Sequence, residues 1–379
     1  MPSNLKSDVL LPPAAADFGS EAGTPKTEEN STVSFRGSSS HSNDESAVEI
    51  AVTIENSARI QTLRGLACLL LIAFHAIGHN ETSGLRVAAD SGYRLFTNIF
   101  IHLRMPLFAF LSGFLYACRP IRRGQVGVFL QKKTRRLLIP LLAASTIHFV
   151  LQRLNPSTHD KIAWHDIWRI YVSPYDHFWF LQALILLFAG TVLLDSARFI
   201  DSFGRFMMVF VLSLLVHLVI VSPYNVFSIN GAVYLLPFFL AGIGIRRFRD
   251  ELCSQIVRYG ALAIFGVTMT AYVFLCLTGG DLPGRGTAWG TTIGLSGCVA
   301  LLNVMPRIRW MAWVGGFSFT IYLYHGMLVT GTRVLLGSFG IASLSIHIAA
   351  GIFAGIAGAI FLEIMLRDQP SMRRVLLGH

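Results

Sequence analysis

Ile60-Gln61-Thr62-Leu63-Arg64-Gly65-Leu66-Ala67-Cys68-Leu69-Leu70-Leu71-Ile72-Ala73-Phe74-His75-Ala76-Ile77 is an eighteen-residue run in which Arg64 alone carries a full charge. A bilayer core of about 30 Å asks for roughly 20 apolar residues in a helix, so this stretch predicts a membrane span. Two polar interruptions, Arg64 and His75, sit inside it. Working outward, the same type of run recurs along the chain. The segments 60–79, 95–117, 136–152, 177–194, 205–221, 230–245, 258–277, 287–304, 312–334 and 343–366 each predict a spanning helix. The fold expected is therefore all-α and polytopic, with about ten transmembrane helices.

The bulk composition agrees. Of 379 residues, 53% are hydrophobic and only 14% are charged, against roughly 25% charged in ordinary soluble domains. Mean hydropathy is +0.56. The net charge of +10 comes from Lys and Arg in short clusters between apolar runs, not from a basic stripe beside stacking aromatics, so a nucleic-acid partner is not expected. Five scattered cysteines form no C-x-x-C pair, which supports neither a disulfide framework nor a structural metal. Residues 1–58 are rich in Ser, Glu, Thr, Pro and Gly without apolar periodicity, the composition of a disordered tail. That tail lacks the apolar core of a cleaved signal peptide, so the first apolar helix is expected to serve as the retained targeting signal.

Orientation follows from the positive-inside rule. If the tail is cytoplasmic, alternate loops place 22 of the 31 Lys and Arg on that side and 6 on the other. Both termini are then expected in the cytoplasm: the tail 1–58, the membrane domain 59–366, and a short C-terminal tail 367–379. In the longest outer loop, Trp164, Trp168 and Tyr171 repeat at i, i+4, i+7, a pattern suited to a helix at headgroup level that anchors the interface or covers a substrate mouth. Gly351 and Gly355 form a G-x-x-x-G, which predicts close helix packing in the last span.

A charge at the centre of a membrane helix costs about 2.5–3.5 kcal/mol on insertion scales, so polar residues there need a partner or a purpose. Arg64 and His75 are eleven residues apart. That is close to three whole turns, which puts them on one helix face about 16 Å apart along the axis. Taken alone, the pair also fits an arginine snorkelling to lipid phosphate and a packing histidine. In the second span, His102 and Arg104 precede Pro106, whose ring frees a backbone carbonyl that only neighbouring helices or water can satisfy. In the ninth, Ser318, Tyr322 and His325 fall at i, i+4, i+7. Three helices thus offer histidine in the outer half, where an imidazole with a pKa near 6.5 could take a proton from a hydroxyl. On the cytoplasmic side Arg119, Arg122, Arg123 and Lys132-Lys133-Thr134-Arg135-Arg136 flank the third span. Such a cluster fits topology and anionic lipid, or a phosphorylated cytosolic donor gripped by guanidinium groups.

In order along the chain, Arg64-Gly65-Leu66-Ala67 with His75, Phe108 through Phe114 (F-x-F-x-S-G-F), Lys132 to Pro140, Phe178-Trp179-Phe180-Leu181, and Ser318 to His325 (S-x-x-x-Y-L-x-H) resemble the signature segments of the membrane-bound acyltransferase 3 family. The resemblance covers residues 59–366. It implies transfer of an acyl group from a cytosolic acyl-CoA, acetyl-CoA or succinyl-CoA, to a sugar hydroxyl on a lipid-linked glycan or exopolysaccharide in a bacterial inner membrane. Acyl-CoA is then a co-substrate, with no bound cofactor and no metal. Carried over by position, His75 would be the catalytic base or transient acyl carrier, and Arg64 would orient the donor or stabilise charge on the thioester oxygen. Lys132, Lys133, Arg135 and Arg136 would bind CoA phosphates, while His102, Arg104, Ser112, Ser318, Tyr322 and His325 would shape the chamber. Arg104 or His102 could also meet the extra carboxylate of a succinyl donor. Some members carry an additional extracytoplasmic domain; here the transmembrane unit is expected to act by itself or with a polysaccharide-assembly partner.

Intramembrane Arg and His beside broken helices also suit a proton-coupled transporter, which should have two related halves with paired Gly or Pro breaks. No convincing repeat relates 60–221 to 230–366. A non-catalytic assembly protein would leave His75 replaceable.

Overall fold

The computed structural model describes residues 39–78, 84–118, 123–155 and 161–378. Among them the secondary structure is helical, without strands. The helices are α1 (Ser39–Ile77), α2 (Gly92–Ile99), α3 (Ile101–Ala117), α4 (Val126–Leu154), α5 (Arg169–Val172), α6 (Trp179–Ser196), α7 (Phe203–Val219) and α8 (Ile229–Arg247). They continue as α9 (Arg249–Leu252), α10 (Gln255–Thr278), α11 (Ala288–Val304), α12 (Arg309–Gly316), α13 (Ser318–Ser338), α14 (Leu344–Met365) and α15 (Pro370–Leu377). Each apolar segment marked in the sequence lies largely on helix, although the second is interrupted at Phe100 and the ninth at Phe317. Among the described residues, seven helical stretches are long and apolar enough to cross a membrane: Ala58–Ile77, Gly92–Ala117, Val126–Leu154, Trp164–Ser196, Val226–Arg247, Gln255–Thr278 and Leu344–Met365. α7 and α11 are apolar but shorter, at 17 residues each.

α1 begins at Ser39, so 39–57, grouped by composition with the polar tail, has helical backbone; residues 1–38 of that tail lie outside the described residues. Ala47, Glu49, Ala51 and Glu55 are all good helix formers. The aromatic repeat of the long loop does not make one helix. A 3₁₀ turn at Trp164–Asp166 carries Trp164, a turn carries Trp168, and the four residues of α5 carry Tyr171. Trp164 and Trp168 are about half exposed, whereas the Tyr171 hydroxyl turns inward to Thr146 Oγ1 at 2.7 Å.

α1 is the axle of the bundle, touching α3, α12, α13 and α14. The tightest crossings are made by glycine pairs that let backbones meet. A Cβ on Gly113 of α3 would come within 1.9 Å of the Phe239 carbonyl oxygen, and one on Gly242 of α8 within 2.0 Å of that of Phe110. Gly65 of α1 and Gly315 of α12 repeat the arrangement, at 2.0 Å from the Met311 oxygen and 1.9 Å from the Gln61 oxygen. The G-x-x-x-G of α14 is looser: its nearest neighbours are side chains, Ile72 Cγ2 at 2.9 Å from a Cβ on Gly355 and Val329 Cγ1 at 3.5 Å from one on Gly351. Pro106 stands inside α3 and is buried. The carbonyl it leaves without an i+4 donor is that of His102, and Gly294 of α11 packs closely on it.

Near the ends of α8, α6 and α3, one largely buried group joins three helices. Arg247 grips Asp195 through both carboxylate oxygens, at 2.7 and 2.6 Å, and the Tyr116 hydroxyl donates to Asp195 at 2.8 Å. A bidentate guanidinium pair of this kind is both strong and directional. Despite its apolar helix, Glu363 accepts from Thr320 Oγ1 at 2.5 Å, which ties α14 to α13.

Candidate active site

Four imidazoles from four parts of the chain converge. His75 of α1 lies 4.8 Å from His325 of α13 and 5.8 Å from His177, centroid to centroid, all edge to face. His177 and His325 are 4.7 Å apart, and His148 of α4 is 5.6 Å from His177. His177 is placed by the single turn Asp176–Phe178 that leads into α6. Asp176 holds the left-handed backbone conformation, φ +43°, which is uncommon outside glycine but more accessible to Asp than to most residues. That turn aims one carboxylate at two rings: Asp176 Oδ2 lies 2.8 Å from His148 Nε2, and Oδ1 lies 3.4 Å from His177 Nδ1. Gln152 and Tyr175 support it, Gln152 Nε2 standing 2.9 Å from His148 Nε2 and the Tyr175 hydroxyl donating to Gln152 Oε1 at 2.8 Å. Gln182 fixes the loop itself, donating to the carbonyls of Tyr171 and Ser173 and accepting from Ser228.

The hydrogen bonds assign proton positions. His325 Nδ1 stands 2.9 Å from the carbonyl oxygens of both Ile321 and Tyr322. A carbonyl only accepts, so the proton is on Nδ1 and Nε2 keeps its lone pair. That Nε2 is buried without a hydrogen-bond partner, inside a ring that is fully buried and packed on His75 and His177. His177 Nδ1 lies 3.4 Å from the Asp176 carboxylate and its Nε2 lies 3.3 Å from the Leu323 carbonyl. Tyr322 donates to the carbonyl of His177, which locks the turn onto α13. His75 is the half-exposed member of the group and so the ring a substrate can reach. The cluster can shuttle a proton between a hydroxyl at His75 and a carboxylate-backed imidazole. No group of three His, Cys, Asp or Glu side chains among the described residues has the geometry to hold a metal ion.

On the same face of α1, Arg64 donates to Gln61 Oε1 at 3.4 Å. Arg136 of α4 faces it closely enough for the two charges to act on each other. Arg64 thus stands about 16 Å along the axis from His75, with Arg136 within electrostatic range of it. Lys133 instead lies over the Phe188 ring, 4.2 Å from its centroid. Lys132 and Arg135 are exposed on α4; Arg119 and Arg122 lie outside the described residues.

A sequence model of the acyltransferase 3 family, described as an acyltransferase domain, matches residues 57–364. The chain belongs to the acyltransferase 3 family. It is thus a membrane acyltransferase, with nearly all of its described helices inside the matched domain. No curated protein and no solved structure matches it.

Within this acyltransferase, the residues expected to share one chamber divide. His75, Tyr322 and His325 belong to the imidazole cluster. Ser318 is buried at the start of α13, its carbonyl near Cys68 Sγ of α1. Ser112 donates to the Phe108 carbonyl in its own helix at 2.8 Å. His102 stands apart, its ring against Tyr272 of α10 at 4.7 Å, and Arg104 lies over the Phe74 ring, 3.4 Å from its centroid. The residues missed from sequence are His148, Asp176, His177, Gln152 and Tyr175. Asp176-His177 immediately precedes the Phe178-Trp179-Phe180-Leu181 element, and His148 interrupts an apolar span as His75 does, so each carried a signal.

Proposed function

We propose that this acyltransferase carries an acetyl or succinyl group from cytosolic acyl-CoA to a sugar hydroxyl of a surface glycan or exopolysaccharide, through a bundle of ten spans with both termini in the cytoplasm of a bacterial inner membrane. The observation that carries the reading is the alignment of two features on α1. The Arg64–Arg136 pair lies at one level and the half-exposed His75, backed by His325, His177 and Asp176, lies about three turns away. CoA phosphates suit the first level, where Arg136 lies within electrostatic range of Arg64 while Lys132 and Arg135 are exposed on α4, with Arg64 reaching toward the thioester.

At the second level His75 takes the proton of the acceptor hydroxyl as its oxygen attacks the thioester carbonyl carbon. The tetrahedral oxyanion collapses, the C–S bond breaks, and the CoA thiolate leaves and is protonated; an ester remains on the sugar. His325 Nε2 and His177 receive or relay the proton, and Asp176 stabilises the positive charge that forms.

The test is label transfer in membranes containing the full chain, supplied with labelled acetyl-CoA or succinyl-CoA and the host glycan. His75→Ala is expected to lose about 10²–10⁴-fold in rate, the range for removing a general base. Full activity in that variant would remove His75 from the mechanism, and no transfer from either donor by the wild type would remove the donors proposed.

A further inference from the structure

The second apolar run of the sequence, 95–117, is preceded by Arg94. A long cationic side chain at the flank of a span ordinarily reaches out to lipid phosphate. This one turns inward. Arg94 is 5% exposed, in the first turn of α2, and its guanidinium binds backbone. Nη1 donates to the Gly78 carbonyl, and Nη2 donates to the Val87 carbonyl at 3.0 Å. Gly78 directly follows the last residue of α1, and Val87 belongs to the stretch that enters α2.

The place matters because His75 lies in the last turn of α1. An α-helix leaves its final carbonyls without donors, and its end is where it frays. The turn is closed by the Gly78 amide, which donates to the Phe74 carbonyl at 2.8 Å. The chain then reverses through Gly78, at φ +96°. A Cβ on Gly84 would come within 2.6 Å of Gly78 Cα, so the returning chain lies directly against the reversal. Val87 is buried in a small apolar cluster with Ile77 of α1 and Ile348 of α14. α2 is itself anchored, since the Tyr93 hydroxyl shares a 2.7 Å hydrogen bond with Ser345 Oγ at the start of α14. Arg94 therefore ties the end of α1 to an element fixed elsewhere in the bundle. A cation at the carbonyl end of a helix is also favoured by the helix dipole, most strongly where it is partly buried.

The other rings of the cluster are held differently. His325 is interior to α13, His148 lies more than a turn inside the end of α4, and His177 is fixed by the Asp176 turn. We propose that Arg94 is a positioning residue for His75, holding the last turn of α1 so that the imidazole keeps its place against His325 and His177. This rests on the reading above that His75 takes the proton of the acceptor hydroxyl. It adds a residue that neither the transfer step nor the signature segments of the family include.

The test uses the purified full chain in nanodiscs, with labelled acetyl-CoA or succinyl-CoA and the host glycan, beside backbone amide exchange read by mass spectrometry. Arg94→Ala should lower kcat at least about tenfold, because small misplacements of a reacting group are costly. KM for acyl-CoA should stay within about twofold of wild type, because donor binding is not disturbed. Arg94→Lys, which keeps the charge and can reach one carbonyl, should be intermediate. Amide exchange should quicken at residues 74–78 in Arg94→Ala and stay unchanged across α4 and α13. In a His75→Ala background the same substitution should cost nothing further in rate, because the two residues act as one unit. Unchanged kcat in Arg94→Ala, or a loss of kcat without faster exchange at 74–78, would overturn the proposal. So would faster exchange throughout the bundle, the mark of general destabilisation, or an equal further loss in the His75→Ala background. Where Arg94→Ala does not fold, Arg94→Lys and Arg94→Gln give the same pair of readings. Full activity of His75→Ala would remove the catalytic reading and the role of Arg94 with it. An inactive His75→Ala beside a fully active Arg94→Ala would remove the role of Arg94 alone.

Discussion

At the scale of single residues, the site turns on one carboxylate. Asp176 accepts from two histidines, in a backbone conformation that few residues hold without strain. Asp176→Asn keeps the shape but replaces one acceptor oxygen with a donor and removes the negative charge, so His148 and His177 can no longer both be oriented as they are. Transfer should fall about a hundredfold, the scale of a 1 Å misplacement of reacting groups, with kcat affected more than KM for acyl-CoA. Asp176→Glu should recover part of the activity. A rise in KM alone, with kcat unchanged, would mean that Asp176 does not act through the histidines. His75 stands out in the sequence because a histidine three turns from an arginine inside an apolar run is costly, although the pair taken alone also fits a snorkelling arginine and a packing histidine. Asp176 does not, because it lies in a loop where acids are common; only the left-handed turn makes it face two rings.

At the scale of helices, backbone-to-backbone crossings govern stability. Gly113 and Gly242 face each other across α3 and α8 with no room for a Cβ on either, so Gly113→Ala should force the helices apart. Overpacking in a close-packed interior costs about 1–3 kcal/mol, and a lowered midpoint for thermal unfolding in detergent would register it. Gly351→Ala, where the nearest atoms are side chains at 3.5 Å and beyond, should be nearly neutral by the same measurement. The motif visible in sequence and the tightest contacts are thus different glycines. G-x-x-x-G places two glycines on one helix face, whereas these crossings use single glycines from helices more than a hundred residues apart, and no spacing within one helix encodes that. The long-loop aromatics are a related case: their spacing is helical, but the Tyr171 hydroxyl bond to Thr146 and the break after Asp166 divide the stretch into two short turns.

Across the whole molecule, the Arg247–Asp195–Tyr116 group ties α3, α6 and α8 together. Both ionised side chains are mostly buried, at 15% and 13% exposure, and Asp195→Ala would leave Arg247 charged and unpaired. Breaking a buried pair costs about 3–5 kcal/mol, and the variant is expected to unfold at lower temperature and accumulate less in membranes. The proposed orientation is tested by single cysteines in a background without the native five. A cysteine at Asp281 should react with an impermeant maleimide added outside intact cells, and one at Asp368 only after the membrane is opened. The reverse pattern would invert the topology.

The sequence by itself determined what kind of solvent this chain folds in and which polar residues stand out within it. Apolar run length follows from bilayer thickness, loop charge from translocation, and the cost of a polar group in hydrocarbon makes Arg64, His75 and His325 conspicuous at any position. Tertiary structure decided which polar residues share a site. His148 and His177 join His75 and His325, while His102, at a similar depth, is turned toward α10 by Tyr272, Gly290 and the Phe74–Arg104 stack. Depth along a helix can be read from residue number, since the rise per residue is fixed; the direction a side chain faces across the bundle is set by which helices pack around it, and only the assembled contacts specify that.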